Sequence, residues 1–173
     1  MANLGVEFEV VDPAVDELES GEPRELVAEN ARRKALAGRE AAGPGSLVIG
    51  CDTEVFLDGA VQGKPAGAEA ARAQLRALAG REHEVLSGLC LLGPGAGQER
   101  AGVARSLVRL RALNDAEVDR YVAAGEWRDK SGGYAIQGLA SAFVERVEGD
   151  VSNVVGLPAG LLWELAPELI GEA

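Results

Sequence analysis

The stretch Ser46-Leu47-Val48-Ile49-Gly50-Cys51-Asp52-Thr53 decides the fold class. Its first six residues are small or apolar without alternation, the pattern of a strand covered on both faces. An acid then closes the run. A carboxylate placed directly after a buried strand either caps the following turn or stands where open α/β sheets gather ligands, beyond the carboxyl ends of their strands. Taken alone, the residues leave both roles open for Asp52.

Downstream, Asp58-Gly59 between Val55-Phe56-Leu57 and Ala60-Val61-Gln62 is a strong hairpin signal, and Gly63-Lys64-Pro65 ends the hairpin. Lys64 there reads as an ordinary exposed loop lysine or as a cation held near a ligand. Ala68, Ala71, Leu75 and Leu78 have helical spacing, with Gly80 as the stop. Val85 to Leu92 and Val103 to Leu110 read as an antiparallel pair joined through Gly93 to Gly97. Asn114 and Glu117 form a capping box for a short helix that carries Val118, Tyr121 and Val122 and ends at Gly125. The Gly-rich segment Asp129 to Gly138 is either a solvated turn or a loop that closes over a substrate. A short strand or helix around Ala142 to Val147 follows, then a helix opened by Pro158 with Leu161, Leu162 and Leu165 inside.

Upstream, Val6 to Val11 alternates as a half-buried strand that Pro13 breaks before the acids Asp16, Glu17, Glu19 and Glu22. Pro23 and Glu25 open a helix that runs to about Gly38 or Gly43, with Leu26, Val27, Ala31 and Ala35 on its inner face. Asn30 and Lys34 fall on that same inner stripe. Polar groups facing inward need partners. Either Lys34 snorkels to the surface and Asn30 satisfies a backbone group, or the ammonium enters a cleft to meet phosphate.

With 173 residues, no repeat and no linker, the chain fits a single mixed α/β domain, residues 1–173. A net charge of -11 argues against a nucleic-acid polymer as partner, since backbone phosphates demand a basic surface. A small phosphorylated ligand remains compatible if local lysines, amides or a divalent metal offset the surplus acids. No stretch approaches the roughly 18 apolar residues of a membrane span, and no signal pattern opens the chain, so a soluble cytoplasmic protein is expected. Cys51 and Cys90 read as buried small residues without zinc-ligand spacing. His83, with no Ser or Cys partner in view, reads as a surface or strand-edge residue. Glu99, Arg100, Arg105, Arg109 and Arg111 read as the solvated face of the strand pair.

Six blocks, in order, resemble the Maf family of nucleoside triphosphate pyrophosphatases over nearly the whole chain. They are Asp16-Glu17, Glu29-Asn30-Ala31 through Lys34-Ala35, Gly50-Cys51-Asp52-Thr53, Gly63-Lys64-Pro65, Asp129-Lys130 through Ile136-Gln137-Gly138, and Asn153-Val154-Val155-Gly156-Leu157-Pro158. The resemblance implies a Maf/ITPase-like α/β fold: an elongated mixed sheet flanked by helices, in two lobes with a central cleft. It implies hydrolysis of a nucleoside triphosphate between the α and β phosphates, and through the block ending in Gln137 it resembles the subgroup acting on dTTP and UTP. Carried over, Asp52 is the proton acceptor and Lys34 and Lys64 contact phosphate. Thr53 and Gln137 set specificity, and Asn30 and Lys130 join the substrate-binding set. Glu17 and Asp52 are implied to hold a divalent cation, Mg or Mn, and a homodimer is the implied assembly.

Family members usually begin with a strand and a Ser-x-Ser-Pro-Arg-Arg loop that grips phosphate, whereas Met1 to Gly5 here resembles the end of the helix after it. The expectation is therefore a chain lacking that strand and loop, which keeps a second reading open: a catalytically impaired nucleotide-binding regulatory module linked to cell division. A broad ITP or XTP pyrophosphatase is a third. Smaller departures are Glu54 where an apolar residue is usual and Ser131-Gly132-Gly133 where Ala-Gly-Ala is common.

Overall fold

The computed structural model describes residues 5–12, 14–43, 45–95 and 98–169. In order the elements are α1 (Pro23–Ala42), β1 (Val48–Leu57), β2 (Ala60–Val61), α2 (Ala68–Leu78), β3 (Glu82–Leu92), β4 (Glu99–Leu110), α3 (Asp115–Ala124), β5 (Val144–Glu148), α4 (Val151–Val155) and α5 (Ala159–Leu165). The strands form one sheet in the order β2-β1-β3-β4-β5. Every pairing among the described residues is antiparallel, where a mixed sheet was expected. The α/β class holds, with helices against both faces.

β1 differs from expectation in a way that matters. Val48 to Cys51 and Val55 to Leu57 are parts of one continuous strand, paired with β3 from Val48↔Leu92 to Phe56↔Glu84. Asp52 is therefore a mid-strand residue and not a strand terminus. A strand alternates its side chains, so Gly50, Asp52, Glu54 and Phe56 share one face while Ile49, Cys51, Thr53, Val55 and Leu57 share the other. The predicted strand from Val6 to Val11 does not form: residues 6–12 have no regular structure, and Phe8, Val10 and Val11 are exposed. Among the described residues no strand pairs with it. Of the helix end expected at residues 1–5, all but Gly5 lies outside the described residues.

α1 covers the first face. Glu22 caps it by accepting hydrogen bonds from the backbone N–H groups of Arg24 and Glu25, with Pro23 in the first turn. Leu26 and Val27 pack on Phe56 and Leu86, and Ala31 and Ala35 pack on Cys90. Where α1 crosses the sheet, the residues beneath are Gly50 and Gly88. A Cβ built on Gly50 would lie 2.1 Å from the Ala31 carbonyl oxygen, and one on Gly88 would lie 2.1 Å from that of Val27. Helix backbone thus rests on sheet backbone. At its far end, Arg39 donates to the carbonyls of Ser46 (2.6 Å) and Gly93 (2.6 Å), tying the helix to the loops that bound β1 and β3.

The opposite face carries the larger core. Val55, Leu57, Val85, Val108 and Leu110 meet Leu75 and Leu78 of α2 and Val118 and Tyr121 of α3, while Leu89 and Leu91 meet Leu162 of α5. α3 begins with the expected reciprocal capping box of Asn114 and Glu117 and ends at left-handed Gly125. α4 was not foreseen. Its Asn153 is fully buried and donates to the Val85 carbonyl and to Ser106 Oγ, each at 3.0 Å, which anchors this short helix on β3 and β4.

His83 corrects the surface expectation. It is 2% exposed at the start of β3, its Nε2 2.8 Å from the Tyr134 hydroxyl, and its ring meets that of Tyr134 edge-on. Alternation explains this, because His83 shares the face of Val85 and falls under the α2 side of the sheet. Burial lowers its pKa from 6.5 to about 4.

Two consequences are measurable. Gly88→Ala must push α1 off the sheet and should lower the urea midpoint by the equivalent of about 1–3 kcal/mol. A midpoint within error of the parent chain would contradict the close seating of α1. For His83, the unfolded chain takes up a proton near pH 6.5 and the folded chain only near pH 4. Stability from this group is complete above pH 6.5 and drains away as pH falls toward 4, by about 3 kcal/mol at most. Urea midpoints between pH 7 and 4 should fall less steeply in His83→Gln than in the parent chain.

Candidate active site

β2 pairs with the outer side of β1 only at Phe56↔Val61 and Leu57↔Ala60. Upstream of these pairs, the outer edge of β1 has no strand beside it among the described residues. A cleft of about 250 Å³ opens there, bounded by Asp129, Lys130 and Ser131 on one side and by Val154, Val155 and Gly156 on another.

Asp52 lies on its floor, 4% exposed. A carboxylate so enclosed is stable only when paired, and α1 supplies the partners. Lys34 Nζ is 2.6 Å from Asp52 Oδ1, and Asn30 Nδ2 donates to Asp52 Oδ2 at 3.3 Å. Both reach it because they sit one helical turn apart on the stripe that rests on Gly50 and Gly88. The inward-facing polar residues of α1 thus have their explanation. Asn30 also accepts from the Leu18 N–H (2.7 Å) and donates to the Leu18 carbonyl (3.0 Å), while Arg33 donates to the Asp16 carbonyl at 2.9 Å. These bonds pin the segment before α1 against the helix, and Glu17 within it forms a second ion pair with Lys34 at 2.9 Å. Burial works to lower the pKa of Lys34, but the bonds to Asp52 and Glu17 prevail and raise it.

Thr53 points to the opposite face. Its hydroxyl lies 2.6 Å from Ser87 Oγ and donates to the Gly156 carbonyl at 3.3 Å, a carbonyl that Cys51 Sγ also reaches at 3.1 Å. Burial pushes the Cys51 thiol up to about 11, so it stays protonated. Lys64 and Lys130 line the cleft. Among the residues singled out in sequence, then, Asp52, Lys34, Glu17, Thr53, Lys64 and Lys130 come together around one cavity, with Asn30 directly behind Asp52.

Gln137 does not join them. It is exposed and absent from the cleft lining: the chain still lines the cleft at Tyr134 and has left it by Leu139, whose N–H donates to the Glu126 carboxylate. Conversely, sequence reading missed Glu54, Ser131 and Tyr134 as wall residues. Reading β1 as continuous would have found Glu54, two residues from Asp52 on the same face. Burial raises the Glu54 carboxyl above its ordinary range, against a hydrogen bond from Ser131 that lowers it and with the charges of Asp52 and Glu17 adding to the rise.

The donor set bears on a divalent cation. Among the described residues no group of three or more His, Cys, Asp or Glu forms a cage for one. Two hard carboxylates, Asp52 and Glu17, do converge on a single ammonium, at 2.6 and 2.9 Å. That suits a cation which takes one or two protein carboxylates and completes its shell with water and substrate phosphate. No helix among the described residues is long and apolar enough to cross a membrane.

Comparison with known proteins places this chain in a family. The sequence matches the model of the Maf family, described as Maf-like protein, over residues 1–169. It is 47% identical over 162 residues to a dTTP/UTP pyrophosphatase of Anaeromyxobacter dehalogenans strain 2CP-1, covering 91% of this chain and 81% of the relative. Relatives bearing the same name in Pyrococcus horikoshii and Deinococcus radiodurans are 43% and 42% identical, covering 94% and 95% of this chain and 87% and 84% of the relatives. The chain belongs to the Maf family.

Proposed function

We propose that this chain is a nucleoside triphosphate pyrophosphatase that hydrolyses dTTP and UTP to the monophosphate and pyrophosphate. The observation that carries the reading is an enclosed carboxylate, Asp52, on the floor of a cleft whose walls hold Lys34, Lys64 and Lys130. In a chain of net charge -11, three lysines gather around one cavity that also holds Glu17, Asp52, Glu54 and Asp129, a local concentration of cations that a polyphosphate can meet. The names of the relatives supply the substrate class.

In this reading a water oxygen bonds to the α phosphorus, the bridge to the β phosphate breaks, and pyrophosphate leaves with the bonding electrons. Asp52 takes the proton of the attacking water, general-base chemistry without histidine. Asn30 and Lys34 hold the carboxylate in place while it does so. Lys34 also faces Glu17, and a substrate phosphate replaces Glu17 at the ammonium more readily than it displaces the buried Asp52. Lys64 and Lys130 neutralise the remaining phosphates. Thr53, its hydroxyl engaged with Ser87 and Gly156, shapes the wall against which the nucleoside lies. Gln137 acts on specificity only if the segment after Gly133 folds back over the bound base. A divalent cation, held by Asp52 and Glu17 when bound, supplies further neutralisation of phosphate charge.

Asp52→Asn keeps the shape of the floor and removes the base. Release of pyrophosphate from dTTP or UTP, measured with Mg or Mn present, should fall about 10²- to 10⁴-fold. Undiminished turnover in this variant, or none in the parent chain with any of dTTP, UTP, ITP and XTP, would refute the proposal.

A further inference from the structure

Ser131 stands at a junction that the proposed chemistry leaves unused. Its hydroxyl oxygen accepts the Val55 N–H at 2.9 Å, on the outer edge of β1 where pairing with β2 has just ended. Its hydroxyl hydrogen goes to the Glu54 carboxylate. The next residue, Gly132, donates its N–H to the Gly63 carbonyl at 2.9 Å, and its backbone is left-handed, with a Cβ position 3.0 Å from the Val55 methyls. Three segments meet here: the strand that carries Asp52, the end of the hairpin immediately before Lys64, and the turn immediately after Lys130. Both lysines line the cleft from flexible stems, and neither forms an ion pair within 4 Å among the described residues.

Glu54 is hard to explain by charge. A carboxylate beside Asp52 adds negative potential to a cleft that receives phosphate, and simple electrostatics makes it a liability to anion binding. Its bond to Ser131 gives it another role. By fixing the Ser131 hydroxyl, Glu54 orients its oxygen toward the Val55 N–H and so locks the junction.

We propose that Glu54 and Ser131 are positioning residues that lock the 130–132 turn and the hairpin end onto β1, thereby aiming Lys130 and Lys64 at the phosphates. The inference rests on the reading of the cleft as a phosphate site but not on turnover. It predicts an order that charge alone reverses. Glu54→Gln retains an acceptor for Ser131 and loses the charge, whereas Glu54→Val loses both.

The test is calorimetric binding of inorganic pyrophosphate to the full chain, with urea unfolding to verify that each variant is folded. Glu54→Gln should bind as tightly as the parent or tighter, while Glu54→Val and Ser131→Ala should each bind roughly 5- to 10-fold more weakly. Because the two side chains act as one unit, the double variant should bind no more weakly than either single one. Ser131→Thr, which keeps the hydroxyl, should restore binding. In steady-state assays Glu54→Val and Ser131→Ala should raise KM with little change in kcat, as expected of groups that grip phosphate equally before and in the transition state. Glu54→Val binding pyrophosphate as tightly as Glu54→Gln, or additive losses in the double variant, would overturn the inference even if nucleotides are hydrolysed. The expected binding order in a chain that hydrolyses nothing would uphold it and overturn the proposed function instead.

Discussion

The rest of the structure depends on how closely α1 can approach the sheet. Helices on sheets are ordinarily held off by the side chains between them. Here the contact is backbone on backbone, because Gly50 and Gly88 leave nothing in the way and Ala31 and Ala35 keep the helix side thin. Gly88 is the direct cross-strand partner of Asp52. The missing side chain on β3 is thus what lets α1 descend beside the carboxylate on β1. Without that descent, Asn30 and Lys34 would stand too far from Asp52 to bond it, and an enclosed carboxylate would be left unpaired at a penalty of several kcal/mol.

The same geometry explains an economy in charge. Lys34 serves Asp52 and Glu17 at once, and the two acids are unequal: the side chain of Asp52 is 3% exposed and that of Glu17 is 38% exposed. Asp52 cannot give up its partner cheaply, whereas Glu17 can turn to water. A lysine shared this way is anchored by one bond and free to trade the other. The ion pairs on the outer strands, such as Arg109 with Glu145 and Arg146 with Glu82, lie in solvent and contribute little to stability.

Much of this was legible in the residues, and the reasons for the rest are physical. Helix signals such as Pro23 and the Asn114–Glu117 box act within one turn, so local chemistry announces them. The conflict of Asn30 and Lys34 with an apolar stripe also announced a partner in the interior, although not which one. Misreadings arose where a decision is made by distant chain. Val6 to Val11 alternates like a strand but pairs with no strand among the described residues. Asp52 looked like the end of a strand because charge interrupted an apolar run, yet β3 continues to pair past it through to Phe56. α4 is five residues long and is held by the buried Asn153, whose acceptors on β3 and β4 lie more than forty positions away in sequence. Gln137 belongs to a sequence block that includes Lys130, yet the chain leaves the cleft between Tyr134 and Gln137, and Leu139 beyond it is bonded to Glu126. Membership of one motif does not entail membership of one cavity.

A single strand, then, is used on three sides. One face of β1 offers Asp52 and Glu54 to α1 and the cleft, and the other offers Thr53 and Val55 to Ser87 and the large core. Its outer edge offers the Val55 N–H to Ser131. Among the described residues no strand pairs with that edge upstream of Phe56, an arrangement that ordinarily exposes a sheet to unwanted pairing. The short reach of β2 leaves that stretch open, and the turn at Ser131 closes it at Val55 with a side-chain hydroxyl in place of a strand. Substituting a hydroxyl for a neighbouring strand satisfies the amide without filling the space beside Thr53 and Asp52. The cleft lies along the stretch of that edge that β2 does not reach, with the Ser131 hydroxyl capping it at Val55.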